Sequence, residues 1–403
     1  MNINSSKRPI VVIANSSKYI LHYRSLLIKT IKKEHDLVLI APFDASSKLL
    51  SKFNSLIIWE VKRKRDINFL SLLTSFIGIF KIVYKIKPKL IHSHTLKTNL
   101  LLVIVSSLLG IPCILSFAGL GTLLNTKGTS KLILPIVLKT IALFALIDFN
   151  RIHKFKMNKD KTQFIFQNDI DLNFFKKNVP NFPNKNMNLI VGSGIPDNYL
   201  NKSKQIKKNK NQWSSNTQEK ELIKIDFIYS ARLLKSKGIK IFLKLSSLFK
   251  NHNFFVFGEI DKAKKDSLND EEIYYFKSKY PNVRFMGYVQ DPFLSKEFKF
   301  PVLIFPSTYG EGFPRSIGEA FAIKIPVICS EKSSLTISIL KEFTYIPKEN
   351  DVKSYLRCVN KLIEDYKKGK LEKMLKDAQS KVINELSEQS IVEQTLAVYR
   401  KIN

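Results

Sequence analysis

A chain of 403 residues, 44% of them apolar, is long enough to bury two sizeable cores and too apolar to stay a disordered polymer. Its net charge of +32 admits a nucleic-acid ligand, an anionic membrane surface or simply a lysine-rich composition. No helix-turn-helix, RRM, KH or zinc-finger pattern accompanies that charge, which excludes the common nucleic-acid modules.

The N-terminus runs into a strand at 10–14 without the apolar core of a signal peptide, so a cytoplasmic protein is expected. Cys113, Cys329 and Cys358 lie far apart in apolar segments, with no metal-ligand spacing toward the histidines, which suits a reducing compartment and no zinc site. A turn at 15–17 leads into an amphipathic helix over about 19–33, then a second strand at 36–41. Short buried strands are expected again at 55–59, 90–92, 112–117, 163–166 and 188–191, alternating with helical segments as in a parallel, doubly wound sheet. Two apolar segments, 99–118 and 132–149, are broken by Gly110 and Pro112 and by Pro135 and Lys139, and read as buried rather than spanning helices. Lys62, Arg63, Lys64 and Arg65 precede the apolar run 69–80, and Lys81, Lys85, Lys87 and Lys89 follow it. That pattern suits a helix lying on an anionic membrane as well as a core-facing helix with a basic edge.

In doubly wound sheets ligands sit beyond the carboxyl ends of the strands, which singles out the end at 91–97. His92 and His94 alternate with Ser93 there, and only one of the two is expected to face a given side; a hydrogen-bonded structural role is the ordinary alternative for either. Gly119 and Gly121, like Gly192 and Gly194, are too few for a dinucleotide fingerprint and read as tight turns. Asp169 and Asp171 follow a strand and would suit a divalent metal, but an Asn/Asp helix cap explains them more cheaply.

Residues 201–217 are rich in Lys, Asn, Ser and Gln and contain no acid, the clearest domain boundary in the chain. A second α/β unit begins with the strand 225–230. Arg232 and Lys237 lie between that strand and a helix started by Gly238, where a guanidinium fork and an ammonium point charge could both hold a diphosphate. Strands at 254–257 and 283–286 come next, and helices at 352–366, 371–385 and 387–401 end the chain, the last carrying Ile391, Thr395 and Tyr399 at helical spacing.

The most distinctive stretch is 304–329, which reads as buried strand, glycine-bearing loop, helix and second buried strand. Pro314 suits the first helical turn, so the amides beginning at Arg315 face whatever lies above the loop, and an anion fits them best. Glu311 lies in the loop and Glu319 in the helix. Carboxylates only accept hydrogen bonds, so acids beside a diphosphate suit the hydroxyls of an attached sugar. Alternatively, Glu311 favours the helix N-terminus through the dipole and Glu319 pairs with Arg315 at i, i+4.

Pro306 and Ser307 at a strand end, then Glu311, seven residues and Glu319, resemble the nucleotide-sugar signature of the family-4 retaining glycosyltransferases of GT-B fold. The run from Lys87 to Thr95, followed by a helix, Gly110-Ile111-Pro112 and Phe117-Ala118-Gly119-Leu120-Gly121, is similar to the acceptor-domain pattern of those that act on lipid-linked sugars. The resemblance implies an α/β protein of two Rossmann-like, doubly wound domains facing across a cleft. An acceptor-binding domain would span 1–200, a linker 201–220, a nucleotide-sugar-binding domain 221–386, and a final helix 387–403 would cross back to the first domain.

The activity so implied is metal-independent, retaining transfer of a hexosyl or N-acetylhexosaminyl group, with a UDP-sugar as co-substrate and no cofactor. The acceptor would be a cell-surface polysaccharide or lipid-linked intermediate of the kind built in bacterial capsule and O-antigen assembly. His94 and Glu311 would be catalytic, orienting the sugar as its anomeric carbon becomes cationic. Arg232, Lys237, Gly312, Phe313, Arg315, Ser316 and Glu319 would bind the donor, and the backbone of Gly287, Tyr288 and Val289 would hold its base. The partners implied are the nucleotide-sugar, the saccharide or lipid-linked acceptor and an anionic membrane surface at the inner face of the plasma membrane, with no nucleic acid. A UDP-sugar hydrolase or epimerase on the same fold, or a basic nucleic-acid-binding protein, are the alternatives.

The chain departs from the signature in three places. Three residues rather than two separate Ser307 from Glu311, Lys324 stands where a glycine is expected after the helix, and 330–335 replaces a glycine-bearing loop. These changes bear on the shape of the donor pocket and hence on the sugar.

Overall fold

A computed structural model describes residues 8–42, 46–50, 56–59, 69–120, 129–147, 161–206, 223–262, 264–294, 298–309 and 311–402. The chain divides into two compact units, 1–194 with 389–403, and 195–388.

The first unit holds a seven-stranded, fully parallel sheet, β1 Ile10–Ile13, β2 Leu37–Pro42, β3 Leu56–Trp59, β4 Leu90–His94, β5 Cys113–Phe117, β6 Thr162–Phe166 and β7 Met187–Leu189. Its order is β3-β2-β1-β4-β5-β6-β7. Strands covered on both faces need apolar side chains at every position, and β1 and β5 are buried throughout. Alternation then sorts them. Val11 and Ile13 join Ile91, Leu115 and Phe117 under the helices Phe69–Ile86, Leu96–Leu109 and Thr129–Leu146. Ile10 and Val12 face the other way, onto Ile28 and Ile31 and onto Ile391, Val392 and Tyr399 of the last helix, Glu388–Arg400.

The second unit holds a five-stranded parallel sheet, β8 Asp226–Ser230, β9 Asn253–Phe257, β10 Val283–Gly287, β11 Pro301–Phe305 and β12 Val327–Cys329, in the order β10-β9-β8-β11-β12. In both sheets the chain winds outward for three strands and then returns to the other side of the first. The order therefore reverses between β1 and β4 and between β8 and β11, the places where doubly wound sheets leave a crevice for ligand.

Three expectations need correction. The helix anticipated over 19–33 is two, Ser17–Tyr23 and Ser25–Glu34, because Arg24 leaves helical geometry at φ −134° while its amide still closes the first helix onto Ile20. The boundary falls at 194/195 rather than 200. Ile195 N–H donates to Leu386 C=O at 2.7 Å and Tyr199 is wholly buried, so 195–200 belong to the second unit. The expected linker 201–220 begins inside a helix, Asp197–Ile206, and the rest of it lies outside the described residues, as do Lys62 to Arg65 and Gly121. Among the described residues, no helix is long and apolar enough to cross a membrane.

Candidate functional site

At the switch point of the second sheet, β8 is followed by a 3-10 turn, Lys235–Lys237, and then by Gly238 at φ +76°. A Cβ on Gly238 would lie 2.1 Å from the Pro306 carbonyl oxygen, so only glycine lets this turn press against the end of β11. Thr308 N–H donates to Ser236 C=O at 2.8 Å and fastens the two strand ends together. Lys237 and Glu311 are thereby brought into contact as an ion pair, with the Lys237 ammonium 4.4 Å from the Tyr309 ring centroid. Burial, and then the Arg232 charge, push the Lys237 ammonium down from the usual lysine range, against the pull of the Asp266 carboxylate. Arg232 pairs with Asp261 at 2.8 Å and lies 5.6 Å over the same Tyr309 ring.

The helix above this cluster is Arg315–Ala322. Pro314 is its cap at ψ 95°, one position outside the first turn where it was expected, and its carbonyl takes the Ile317 amide at 3.0 Å. A helix offers its own first amides no carbonyl, so those of Arg315 and Ser316 point outward, next to the half-buried Gly312 and Phe313. Arg315 Nε meets Glu319 Oε1 at 2.8 Å, the i, i+4 pair left open from the sequence. Burial nevertheless pushes the Glu319 carboxyl up to about 7, against the pull of Arg315 and with help from Asp291 and Glu388.

The departures have structural solutions. Lys324 adopts φ +61°, the left-handed position a glycine would fill. Its amide donates to Phe321 C=O at 3.1 Å and that of Ile325 to Ala320 C=O at 2.9 Å, so the helix closes in a Schellman arrangement despite the side chain. In place of a glycine loop, Ser330 caps the short helix Glu331–Leu335, and both Ser330 and Ser333 donate to the Ser307 carbonyl, pinning the strand end that carries the Glu311 loop.

At the switch point of the first sheet stands His94, fully buried, with no hydrogen-bond partner for either ring nitrogen among the described residues. Burial, then His92, then Arg24 hold its imidazole well below the usual histidine range, so it is neutral. The expectation that only one histidine faces a given side is wrong. Positions two apart on a strand share a face, and the two ring centroids are 4.1 Å apart. His92 takes the structural role, with Nδ1 2.8 Å from Tyr399 Oη and Nε2 2.7 Å from Ser116 Oγ.

Three neighbours of His94 escaped the sequence reading. Thr95, just after it, sits at φ +77°, a strained position for a β-branched residue. The Tyr19 ring lies 5.5 Å from the His94 ring, and Arg24 donates to Tyr19 Oη at 3.2 Å. A threonine after a strand end, a tyrosine and a lone arginine between two helices carry no motif, so only the fold could reveal them.

Asp171 is spent on structure. It accepts from the Leu120 amide and from Asn168 Nδ2, both at 3.0 Å, while Asn168 caps the helix Asp169–Asn178. Among the described residues, no group of three His, Cys, Asp or Glu could hold a metal ion.

Residues 10–168 match the family model "Glycosyl transferase 4-like", and residues 204–381 match "Glycosyl transferases group 1". A curated relative, the capsular polysaccharide biosynthesis glycosyltransferase CapM of Staphylococcus aureus, is 26% identical over 377 residues, covering 91% of this chain and 90% of its own. The Anabaena protein HepE, solved with UDP and glucose, superposes with a TM-score of 0.69 at 15% identity, over 98% of this chain and 99% of its own. Sucrose-phosphate synthase of Thermosynechococcus elongatus superposes equally well, 0.69 at 13% identity, over 98% and 99%. At such identities the structural likeness establishes a common fold.

Proposed function

The chain belongs to the family-4 glycosyltransferases of GT-B fold, and on that premise we propose that it transfers a sugar, with retention, from a UDP donor to a saccharide or lipid-linked intermediate of a cell-surface polysaccharide. The observation that carries the reading is the cluster of Lys237, Arg232, Glu311 and the Arg315–Glu319 helix turn at one switch point. The capsular role of the S. aureus relative and the UDP bound to HepE support the acceptor and donor classes.

In this mechanism the donor diphosphate takes the place of the Glu311 carboxylate beside Lys237, with Arg232 and the amides of Arg315 and Ser316 around it. These groups stabilise the charge that grows on the diphosphate as the glycosidic bond breaks, preorganised electrostatics worth on the order of 10²–10³ in rate. Glu311, released from Lys237, accepts hydroxyls of the transferred sugar, and Glu319 those of the ribose. His94, neutral and with both nitrogens unspent, orients the sugar. No metal takes part.

Calorimetric titration with UDP and ADP in EDTA tests this reading. Selective UDP binding, lost in Glu319→Ala, is expected; binding of neither nucleotide overturns it. A hydrolase or epimerase would release or convert the sugar without acceptor, which product analysis separates.

The same reading gives the first unit a membrane to work on. From Ile67 to Ile147 the chain has no Asp or Glu. The helix Phe69–Ile86 buries Ile79 and Val83 and exposes Leu73, Ile77 and Tyr84; Thr129–Leu146 buries Leu134 and Leu138 and exposes Leu132, Ile133, Ile136 and Leu143. Both pack on the same core cluster, so these outward rows share a side of the unit, with exposed Lys81, Lys85 and Lys139 among them. Apolar rows edged by lysine suit an anionic bilayer surface. Flotation with acidic vesicles, reduced in Leu132→Asp/Ile136→Asp, is the expected result; equal partitioning onto neutral and acidic vesicles at moderate salt counts against it.

A further inference from the structure

Arg24 is the anomaly of the first unit. It sits at the break between the helices Ser17–Tyr23 and Ser25–Glu34 and is only 6% exposed. Its hydrogen bond goes to a neutral phenol, Tyr19 Oη at 3.2 Å, and its guanidinium lies 5.8 Å from the Tyr19 ring centroid. Nε has no partner, and no carboxylate pairs with the side chain among the described residues. The groups that feel its charge are His92, His94 and Tyr399, none of them an anion. A buried guanidinium is ordinarily paired, because taking an unpaired charge out of water is among the costliest things a fold can do. Such a residue persists where something outside the chain supplies the countercharge.

We propose that Arg24 is the receptor for an anionic group of the acceptor, a phosphate or a carboxylate, held one aromatic ring away from His94. The spacing supports this placement. Tyr19 contacts both partners, with its ring 5.5 Å from His94 and 5.8 Å from the guanidinium, so an anion paired with Arg24 lies close to the residue assigned to the transferred sugar. A planar fork of N–H donors matches a carboxylate or phosphate edge in two parallel hydrogen bonds, which an ammonium cannot do. A neutral acceptor would leave the buried charge unanswered, so Arg24 selects acidic over neutral acceptors. The inference rests on the glycosyltransferase reading for the identity of the ligand as an acceptor, but not for the presence of an anion site.

The two sources of that anion are distinguished by two probes, inorganic pyrophosphate for a diphosphate carrier and glucuronate for an acidic sugar. Each is titrated calorimetrically into the full chain with UDP saturating, so that the cations of the second unit are already occupied. One of the two should bind, Arg24→Met should weaken it roughly ten- to hundredfold, and Arg24→Lys should retain part of the affinity. The melting temperature of Arg24→Met without anion should equal or exceed that of the parent, because an unpaired buried charge has gone; a purely structural arginine would lower it. UDP affinity in Arg24→Met should be unchanged. Failure of both probes to bind, undiminished binding in Arg24→Met, or a marked melting loss in that variant each overturns the proposal. Absence of UDP binding in the parent sinks the donor reading instead, and the dependence of probe binding on Arg24 still decides this one.

Discussion

The two switch points of this molecule handle charge in opposite ways. In the second unit every cation of the cluster has a carboxylate on board, Lys237 with Glu311, Arg315 with Glu319 and Arg232 with Asp261. In the first unit the histidines are held neutral by burial and Arg24 has no acid among the described residues. A self-neutralised site is stable when empty and frees its carboxylates when an anion arrives. A site without countercharge stays unsatisfied until its ligand supplies one, which makes it the more selective of the two.

The sharpest way to break this comparison is Glu311→Gln. Turnover should fall on the order of 10²–10³-fold while the melting temperature changes little; a large melting loss with activity per folded molecule retained would show the acid to be scaffold. Glu319→Ala comes next, weakening UDP roughly ten- to hundredfold in calorimetry through lost charge-assisted hydrogen bonds. In the parent protein UDP affinity should rise from pH 6 to pH 8, as the Glu319 carboxyl, held at about 7, loses its proton and can only accept. Glu319→Gln should abolish that rise.

Stability should also respond to pH in opposite directions in the two units. Glu319 binds its proton more tightly folded than unfolded, so its contribution is complete below the ordinary Glu value of about 4.3 and disappears as pH rises through about 7. The buried histidines are depressed, so theirs is present above the ordinary value of about 6.5 and is lost as pH falls through their lower folded values. Asp171, raised to about 6 by burial, partly offsets the histidines in its own unit. Opening free energies from hydrogen exchange should therefore fall for β4 between pH 7 and pH 5, and for the helix Arg315–Ala322 between pH 6 and pH 8. Parallel changes in both would refute the contrast. The smallest effect expected is from Lys324→Gly, which relieves a left-handed non-glycine and should stabilise by about 1 kcal/mol without altering UDP affinity.

How far the sequence could be read follows from where the information sits. Strands buried on both faces leave near-continuous apolar runs, so β1, β5, β8 and β11 were legible, and with them the doubly wound plan, while β4 was placed at 90–92, short of its polar end at His94. The Glu311 to Glu319 string was legible because one local segment contains the loop, the helix and both acids. Which of its charges pair was not, since Lys237 reaches Glu311 only through the close approach that Gly238 permits to Pro306. The first-unit cluster was less visible still. Tyr19 and Arg24, His94, and Tyr399 come from three separate stretches, and the burial that gives Arg24 its meaning is a property of the assembled core. Even the facing of His92 and His94, fixed by strand periodicity alone, was misjudged.

The hydrogen bond between Tyr399 and His92 also sets a schedule for synthesis. Residues 195–388 are contiguous and can complete their own core as soon as they emerge from the ribosome. The first unit, although translated earlier, lacks Ile391, Val392 and Tyr399 until the last helix appears, and the face of β1 built on Ile10 and Val12 is covered only in part, by Ile28 and Ile31, meanwhile. The half made first is thus the half finished last, and a message truncated before codon 389 would yield a nascent chain with an intact second unit beside an open, sticky sheet.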